Sequence, residues 1–298
     1  MTLEAPQAEP APRPRLSRHR PSRRTLIRAA VPAAVALAGG TAWIGTAAWA
    51  EGPTDAELST ELFERVRDYL ATTGTQTEAS VKITRGSRNV GTYARRIHDT
   101  ASIVKMEILL MLLEKYSSVS AIPSDIREHA RQMIVWSNND STTKVYNHLG
   151  GCDALKAAHK RYGLTYTNAS ADCRWGLTTT NVGDQLSVIN QLLYKGRLSQ
   201  AKVDHARWLM GGVASVQAWG LRAAKREGEK VWVKNGWDSR SSLGGLWVVH
   251  SCGVINVPDQ TAIRMAILTS KAPNESKGIA IVEEIAKISR SVIDKAVL

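Results

Sequence analysis

The sequence predicts an α/β fold of the α+β kind: a five-stranded antiparallel sheet covered by N- and C-terminal helices, plus an all-helical lobe. Three observations lead there. Short runs rich in β-branched residues occur twice early and three times late, and the stretch between them keeps a helical period. Amphipathic helices open and close the folded region. Two early and three late strands most simply join into one sheet, leaving the intervening helices to form a lobe of their own. A cleft between two such lobes is where a site is expected.

Taken in order, Pro53–Leu70 carries Leu58, Leu62, Val66 and Leu70 at helical spacing with charges between them. Ala79–Thr84 and Asn89–Ala94 read as a hairpin around Arg85-Gly86-Ser87-Arg88. A helix starting near Ser102 runs through Leu113; it is too apolar to face water and is expected in the core. Ser124–Trp136 follows, then Asp140–Leu149, stopped by Gly150-Gly151, then the short basic helix Asp153–Tyr162. Gly163–Gly176 has turn-formers and little periodicity, hence a loop. Thr178–Tyr194 restarts a helix with Thr180 or Asn181 as its cap. Lys230–Asn235, Leu246–Ile255 and Ala262–Thr269 form a meander, and Ser276–Val297 is the terminal helix. The domain is therefore expected over residues 51–298, with the helical lobe at about 103–225 inserted in the sheet lobe.

Residues 1–50 stand apart. Up to Arg28 they are rich in Pro and Arg, with little to bury. Ser22-Arg23-Arg24-Thr25-Leu26-Ile27-Arg28 then leads into the uncharged run Ala29–Ala50, which ends in Ala48-Trp49-Ala50. A basic region, an apolar region and a small-x-small site make a secretory signal, and the paired arginines point to the twin-arginine export machinery. The protein is then expected to be secreted or extracytoplasmic, in the cell envelope. The run is nearly long enough to span a bilayer, so an uncleaved membrane anchor is the alternative.

The formal net charge of +12 includes seven arginines of that leader. The remaining Lys and Arg are scattered without a basic run, which argues against a nucleic-acid partner and for a soluble basic surface. A monomer is expected. Cys152, Cys173 and Cys252 allow at most one bridge, and Cys152–Cys173 is the pair to test, since both flank one helix-to-loop region. Neither the cysteines nor the seven dispersed histidines have metal-ligand spacing, so no metal and no cofactor is expected.

Chemistry concentrates in three segments. Ser102 and Lys105 lie three residues apart at the head of the buried helix, on one face of one turn. A serine there sits beside unpaired backbone N–H groups and the positive end of the helix dipole. A desolvated lysine loses its charge readily and can serve as a base. An ordinary N-cap serine followed by a surface lysine fits the same letters, and Ser141-Thr142-Thr143-Lys144 matches the pattern too. Ser137-Asn138-Asn139 falls on a tight inter-helix turn, where it could relay a proton and hold an amide, or merely cap the next helix. Lys234-Asn235-Gly236-Trp237 lies on the first late strand. Its lysine could bind a carboxylate, with Gly236 leaving room for a substrate strand at the sheet edge; a plain edge strand with a glycine bend reads equally well.

Together, in this order, the three segments resemble those of the penicillin-recognising serine hydrolases, the class A β-lactamases in particular, with Ser-x-x-Lys, Ser-Asp-Asn and Lys-Thr-Gly motifs. The likeness covers most of the chain after the leader and implies a β-lactamase/transpeptidase-like fold. It implies that Ser102 is the acylated nucleophile, Lys105 its general-base partner and Ser137 the proton shuttle to the leaving nitrogen. Asn139 would grip the substrate's side-chain amide, Lys234 would bind its carboxylate, and Asn235, Gly236 and Trp237 would complete the binding wall. The backbone N–H groups of Ser102 and Trp237 would form the oxyanion hole.

The departures are specific. Asn138 replaces the usual acid of the second motif, and Asn235 the usual hydroxyl of the third. Only thirty-five residues separate Ser102 from Ser137, so the helical lobe is trimmed. In class A enzymes the loop before Thr178 carries a Glu-x-x-Leu-Asn-like segment whose glutamate activates the deacylating water. Here Asn168–Gly176 offers only Asp172 as a possible deacylating acid. The expected function is an exported serine hydrolase acting on β-lactam or cell-wall-peptide-like amides with slow deacylation. The alternative is a non-catalytic protein that binds cell-wall peptide and keeps the fold.

Overall fold

Two apolar cores, one on each face of a single sheet, organise the chain. A computed structural model describes residues 52–194 and 196–296, and the leader assigned to residues 1–50 lies outside them. The order is α1 (Asp55–Thr72), β1 (Glu78–Arg85), β2 (Arg88–Thr92), β3 (His98–Asp99), a 3-10 turn (Ala101–Val104) and α2 (Lys105–Lys115). Then come α3 (Ser124–Val135), α4 (Asn139–His148), α5 (Gly151–Arg161), β4 (Thr179–Thr180), α6 (Val182–Leu193) and α7 (Gln200–Gly211). β5 (Lys230–Ser239), β6 (Trp247–Asn256), β7 (Ile263–Ala272) and α8 (Glu275–Ile293) close the fold.

The five long strands form an antiparallel sheet in the order β2-β1-β7-β6-β5, so the early hairpin does join the late meander. Alternation along β6 and β7 explains the two cores. Val249, Ile255, Met265 and Ile267 pack with α1 and α8, whereas Cys252, Val254, Ala266 and Leu268 pack into the helical lobe. Thr54 starts α1 with a reciprocal cap, its hydroxyl accepting from Glu57 N while Glu57 accepts from Thr54 N.

Several boundaries moved. The buried helix opens as a 3-10 turn before α2 begins at Lys105, so Ser102 sits on the turn itself. β5 runs four residues beyond Asn235, and α7 is a separate helix that no sequence signal delimited. Asn181, one of the two expected caps, starts α6 by accepting from Asp184 N at 2.9 Å. Cys152 and Cys173 are joined as a disulfide that ties α5 to the loop ahead of β4, and Cys252 is free and buried.

Candidate active site

The turn carrying Ser102 is held from three sides. Thr100 N donates to Thr178 O at 2.7 Å, and His250 Nε2 donates to Asp99 O at 2.7 Å. Thr269 N donates to Nδ1 of the same imidazole at 3.1 Å, which fixes its neutral tautomer. Arg240, 4% exposed, binds the Asp99 carboxylate at 2.9 Å, the carbonyl of Gly176 at 2.8 Å, and Asp238. One guanidinium thus fastens the lead-in to Ser102, the loop and the edge strand together. Ala101 sits at φ 44°, a left-handed backbone that a non-glycine residue keeps only where the surroundings enforce it.

Gly236 explains the close fit on the strand side. A Cβ there would stand 2.8 Å from Ile103 N, 3.0 Å from Ser102 N and 3.0 Å from Thr100 O. The missing side chain therefore makes room for the turn that carries Ser102, a close approach that the sequence reading did not include. Ser102 makes no side-chain capping bond at the head of the turn or of α2, so the capping reading of that serine fails.

Lys105 and Lys234 are the two largest fully buried side chains, and both reach Ser137. Lys105 Nζ donates to Ser137 O at 2.6 Å, Asn139 Oδ1 at 2.8 Å and Ser137 Oγ at 3.1 Å. Lys234 Nζ donates to Ser137 Oγ at 2.9 Å and to Asn235 O at 2.7 Å. Ser137 takes a left-handed backbone, φ 56°, which turns its hydroxyl between the two amines. Among the described residues no carboxylate is ion-paired with either amine. Burial, reinforced by Lys234, pulls the Lys105 amine from 10.5 down to about 6, and burial brings Lys234 to about 7. Near neutral pH one amine can accept a proton while the other keeps one, and the hydroxyl between them can pass it.

Asn138 accounts for one departure. Its side chain accepts from Ser141 N at 2.8 Å and caps α4, a task that Asn and Asp perform equally well. Asn235 is placed differently from expectation. Its amide donates to Gln217 O at 2.9 Å and Trp219 O at 3.2 Å, buried on the side of the strand opposite Lys234. It secures the segment beside β5 instead of lining the cleft.

The cleft has a volume of about 730 Å³ and is walled by Ser102, Ser137, Asn139, Trp136, Trp237 and the loop residues Arg174 and Trp175, among others. Trp237 is backed edge-on by Trp219, with ring centroids 5.6 Å apart. Asp172 is not in the wall. It is exposed and ion-paired to Arg174, and its hydrogen bonds to Ser170 and Arg174 hold the carboxyl below its ordinary range, which makes it a poorer base. Trp175 takes the loop's place over the amine, with Lys105 Nζ 5.0 Å from its ring centroid and its own Nε1 3.3 Å from Thr143 Oγ1. Trp175, Arg240 and His250 were not singled out from sequence, because long-range contacts alone bring them to the site.

A family model described as the beta-lactamase enzyme family matches residues 120–295. The chain belongs to that family. The matched stretch holds Ser137 and Lys234 and begins after Ser102. No curated protein matches the chain. Among solved structures it is similar to a class A beta-lactamase from Bacteroides cellulosilyticus, at 14% identity over 81% of this chain and 99% of that one, TM-score 0.68. A class A beta-lactamase from Mycobacterium abscessus matches at 18% identity over 80% and 99%, TM-score 0.66. A PBP-A variant determined as an acyl-enzyme with penicillin G matches at 16% identity over 79% and 97%, TM-score 0.66. At such identities these likenesses establish the fold, and the fold is that of the beta-lactamases.

Proposed function

We propose that this member of the beta-lactamase family is an exported serine hydrolase acylated at Ser102, acting on β-lactam or cell-wall-peptide-like amides and releasing the acyl group slowly. One observation carries the reading: two buried amines of lowered proton affinity converge on the Ser137 hydroxyl, beside the turn that carries Ser102. In this mechanism Ser102 Oγ attacks the amide carbon as Lys105 takes its proton. The oxyanion is held by the N–H groups of Ser102 and Trp237. Ser137, fed by the amines, delivers a proton to the departing nitrogen as the C–N bond breaks, leaving an ester on Ser102. Lys234 attracts the substrate's carboxylate and Asn139 its side-chain amide.

Slow release rests on the loop. The one carboxylate in the cleft wall among the described residues is Asp238, already paired with Arg240, and Trp175 lies where water would approach Lys105. Without a placed base the ester has no efficient route to water. Export through the twin-arginine machinery and action as a monomer outside the cytoplasm complete the proposal, on the strength of the leader.

Intact mass after incubation with penicillin G tests it. The wild type is expected to gain the mass of the antibiotic within minutes and to hold it, while Ser102→Ala gains nothing. The absence of an adduct with several β-lactams and reporter esters would favour a binding protein that keeps the fold without the chemistry. A wild type that clears the adduct rapidly would overturn the slow-release half.

A further inference from the structure

We propose a second ligand site in the helical lobe, between α3 and α7, for a sugar ring that carries an anionic group. The groove there has a volume of about 890 Å³ and shares no residue with the cleft wall. Four features converge on it.

Lys202 is only 9% exposed and lines the groove, yet its ammonium makes no hydrogen bond or ion pair with any described residue. Its stem is packed while its head opens on the groove, where an anionic group can join it. Arg127, also in the wall, makes one long contact, 3.5 Å to Val119 O, and no ion pair. The acids nearby are already engaged: Glu128 holds Arg131 at 2.7 Å and Gln132 at 2.8 Å, and Asp204 holds Gln200 at 2.7 Å. The positive charge of Lys202 and Arg127 is therefore unspent.

The helix ends add to it. The groove is lined by Ser124 at the start of α3 and by Ser199 at the start of α7. Neither helix has a side-chain cap, and each is 12 residues long, so two positive dipole ends border the same space.

Trp208 supplies the other half of the recognition. It is 62% exposed, and its indole is stacked on His205 at 5.6 Å, which holds the ring in place as a platform. One open indole face suits a sugar, whose C–H face is apolar and whose edge offers hydroxyls to the surrounding serines; a flat aromatic ligand would gain more from a two-sided slot. The chemistry is thus an anion on Lys202, Arg127 and the helix ends, joined to a ring on Trp208.

Calorimetric titration of the full chain with glucose 6-phosphate, glucose and inorganic phosphate separates the parts. Glucose 6-phosphate is expected to bind about tenfold or more tightly than either fragment. Trp208→Ala and Lys202→Met should each weaken it about tenfold, with penicillin acylation of Ser102 unchanged in Trp208→Ala. Since Trp208 is exposed, its removal leaves the core intact even if Lys202→Met unfolds. No saturable binding at concentrations on the order of 10 mM would overturn the proposal. So would phosphate binding as tightly as the sugar phosphate, or affinity indifferent to Trp208→Ala. Because the readout is binding and not acylation, its failure is distinct from a failure of the proposed activity.

Discussion

The two walls of the cleft are built to different standards. On one side Ser102, Lys105, Ser137 and Lys234 are set on a turn, a buried helix and a sheet edge. Lys105 Nζ lies within 2.6–3.1 Å of Ser137 and Asn139, Lys234 Nζ lies 2.9 Å from Ser137, and Gly236 lets two backbones meet at contact distance. On the other side the loop from Gly163 to Leu177 is largely exposed or half-buried. Its first half is tied to Asp184 and Thr179, its second half is held by a disulfide and a few side-chain and carbonyl contacts, and its acid points outward. Under the proposed activity, the contrast teaches that forming an acyl-enzyme and clearing it are separate pieces of construction, and that the closely fitted wall serves the first.

The largest way to break the contrast is Lys105→Met, expected to lower the acylation rate by about 10²–10⁴-fold, measured as the second-order rate with a reporter β-lactam. The wild-type rate should rise with pH through about 6, as Lys105 becomes neutral, and decline above about 7, as Lys234 loses the charge that attracts carboxylates. The two inflections belong to the coupled pair. Stability follows the same protons. Unfolded lysines hold theirs to about 10.5, whereas the folded ones release theirs near 6 and 7. The unfolded state is thus the better proton binder between these limits, and stability climbs with pH across that window. A flat profile of denaturation midpoint against pH would contradict buried, uncompensated amines.

Gly236→Ala comes next. The added carbon meets main-chain atoms that cannot rotate away, so the nucleophile turn must shift. Acylation is expected to drop by about 10–100-fold while the circular dichroism spectrum stays native. Replacing Cys152 and Cys173 by serine tests the looser wall. Loss of that bridge, which closes 21 residues, is expected to remove ~2–4 kcal/mol of stability, seen in urea titration, and to change acylation by less than about threefold. The smallest effect belongs to Asp172→Asn, for which the acyl-enzyme lifetime should move by less than about twofold. A lifetime prolonged tenfold would return Asp172 to the chemistry.

Much of the better-built wall was legible in the sequence, because its signals are local or periodic. Apolar runs placed the strands and α2, and three short segments in order placed Ser102, Lys105, Ser137 and Lys234. Asn235 was misplaced because its amide turns to the carbonyls of Gln217 and Trp219, contacts distant in the chain that no local pattern announces. A cap for the next helix was legible in Ser137-Asn138-Asn139, and the structure puts it on Asn138. Trp175, Arg240 and the free groove at Lys202 were not legible, since each depends on contacts between elements far apart in the chain. The loop resisted for a related reason: without periodicity, nothing in its letters says which side chain turns inward.

The meeting of two buried amines on one hydroxyl has an electrostatic consequence for what the crevice admits. Lys234, which keeps its charge up to about 7, gives the crevice a positive potential that a carboxylate feels before any covalent event. A free acid and its methyl ester, identical in shape, should be sorted at the encounter step. That sorting fades as ionic strength rises, because screening reaches the mouth of the site before it reaches the buried amines.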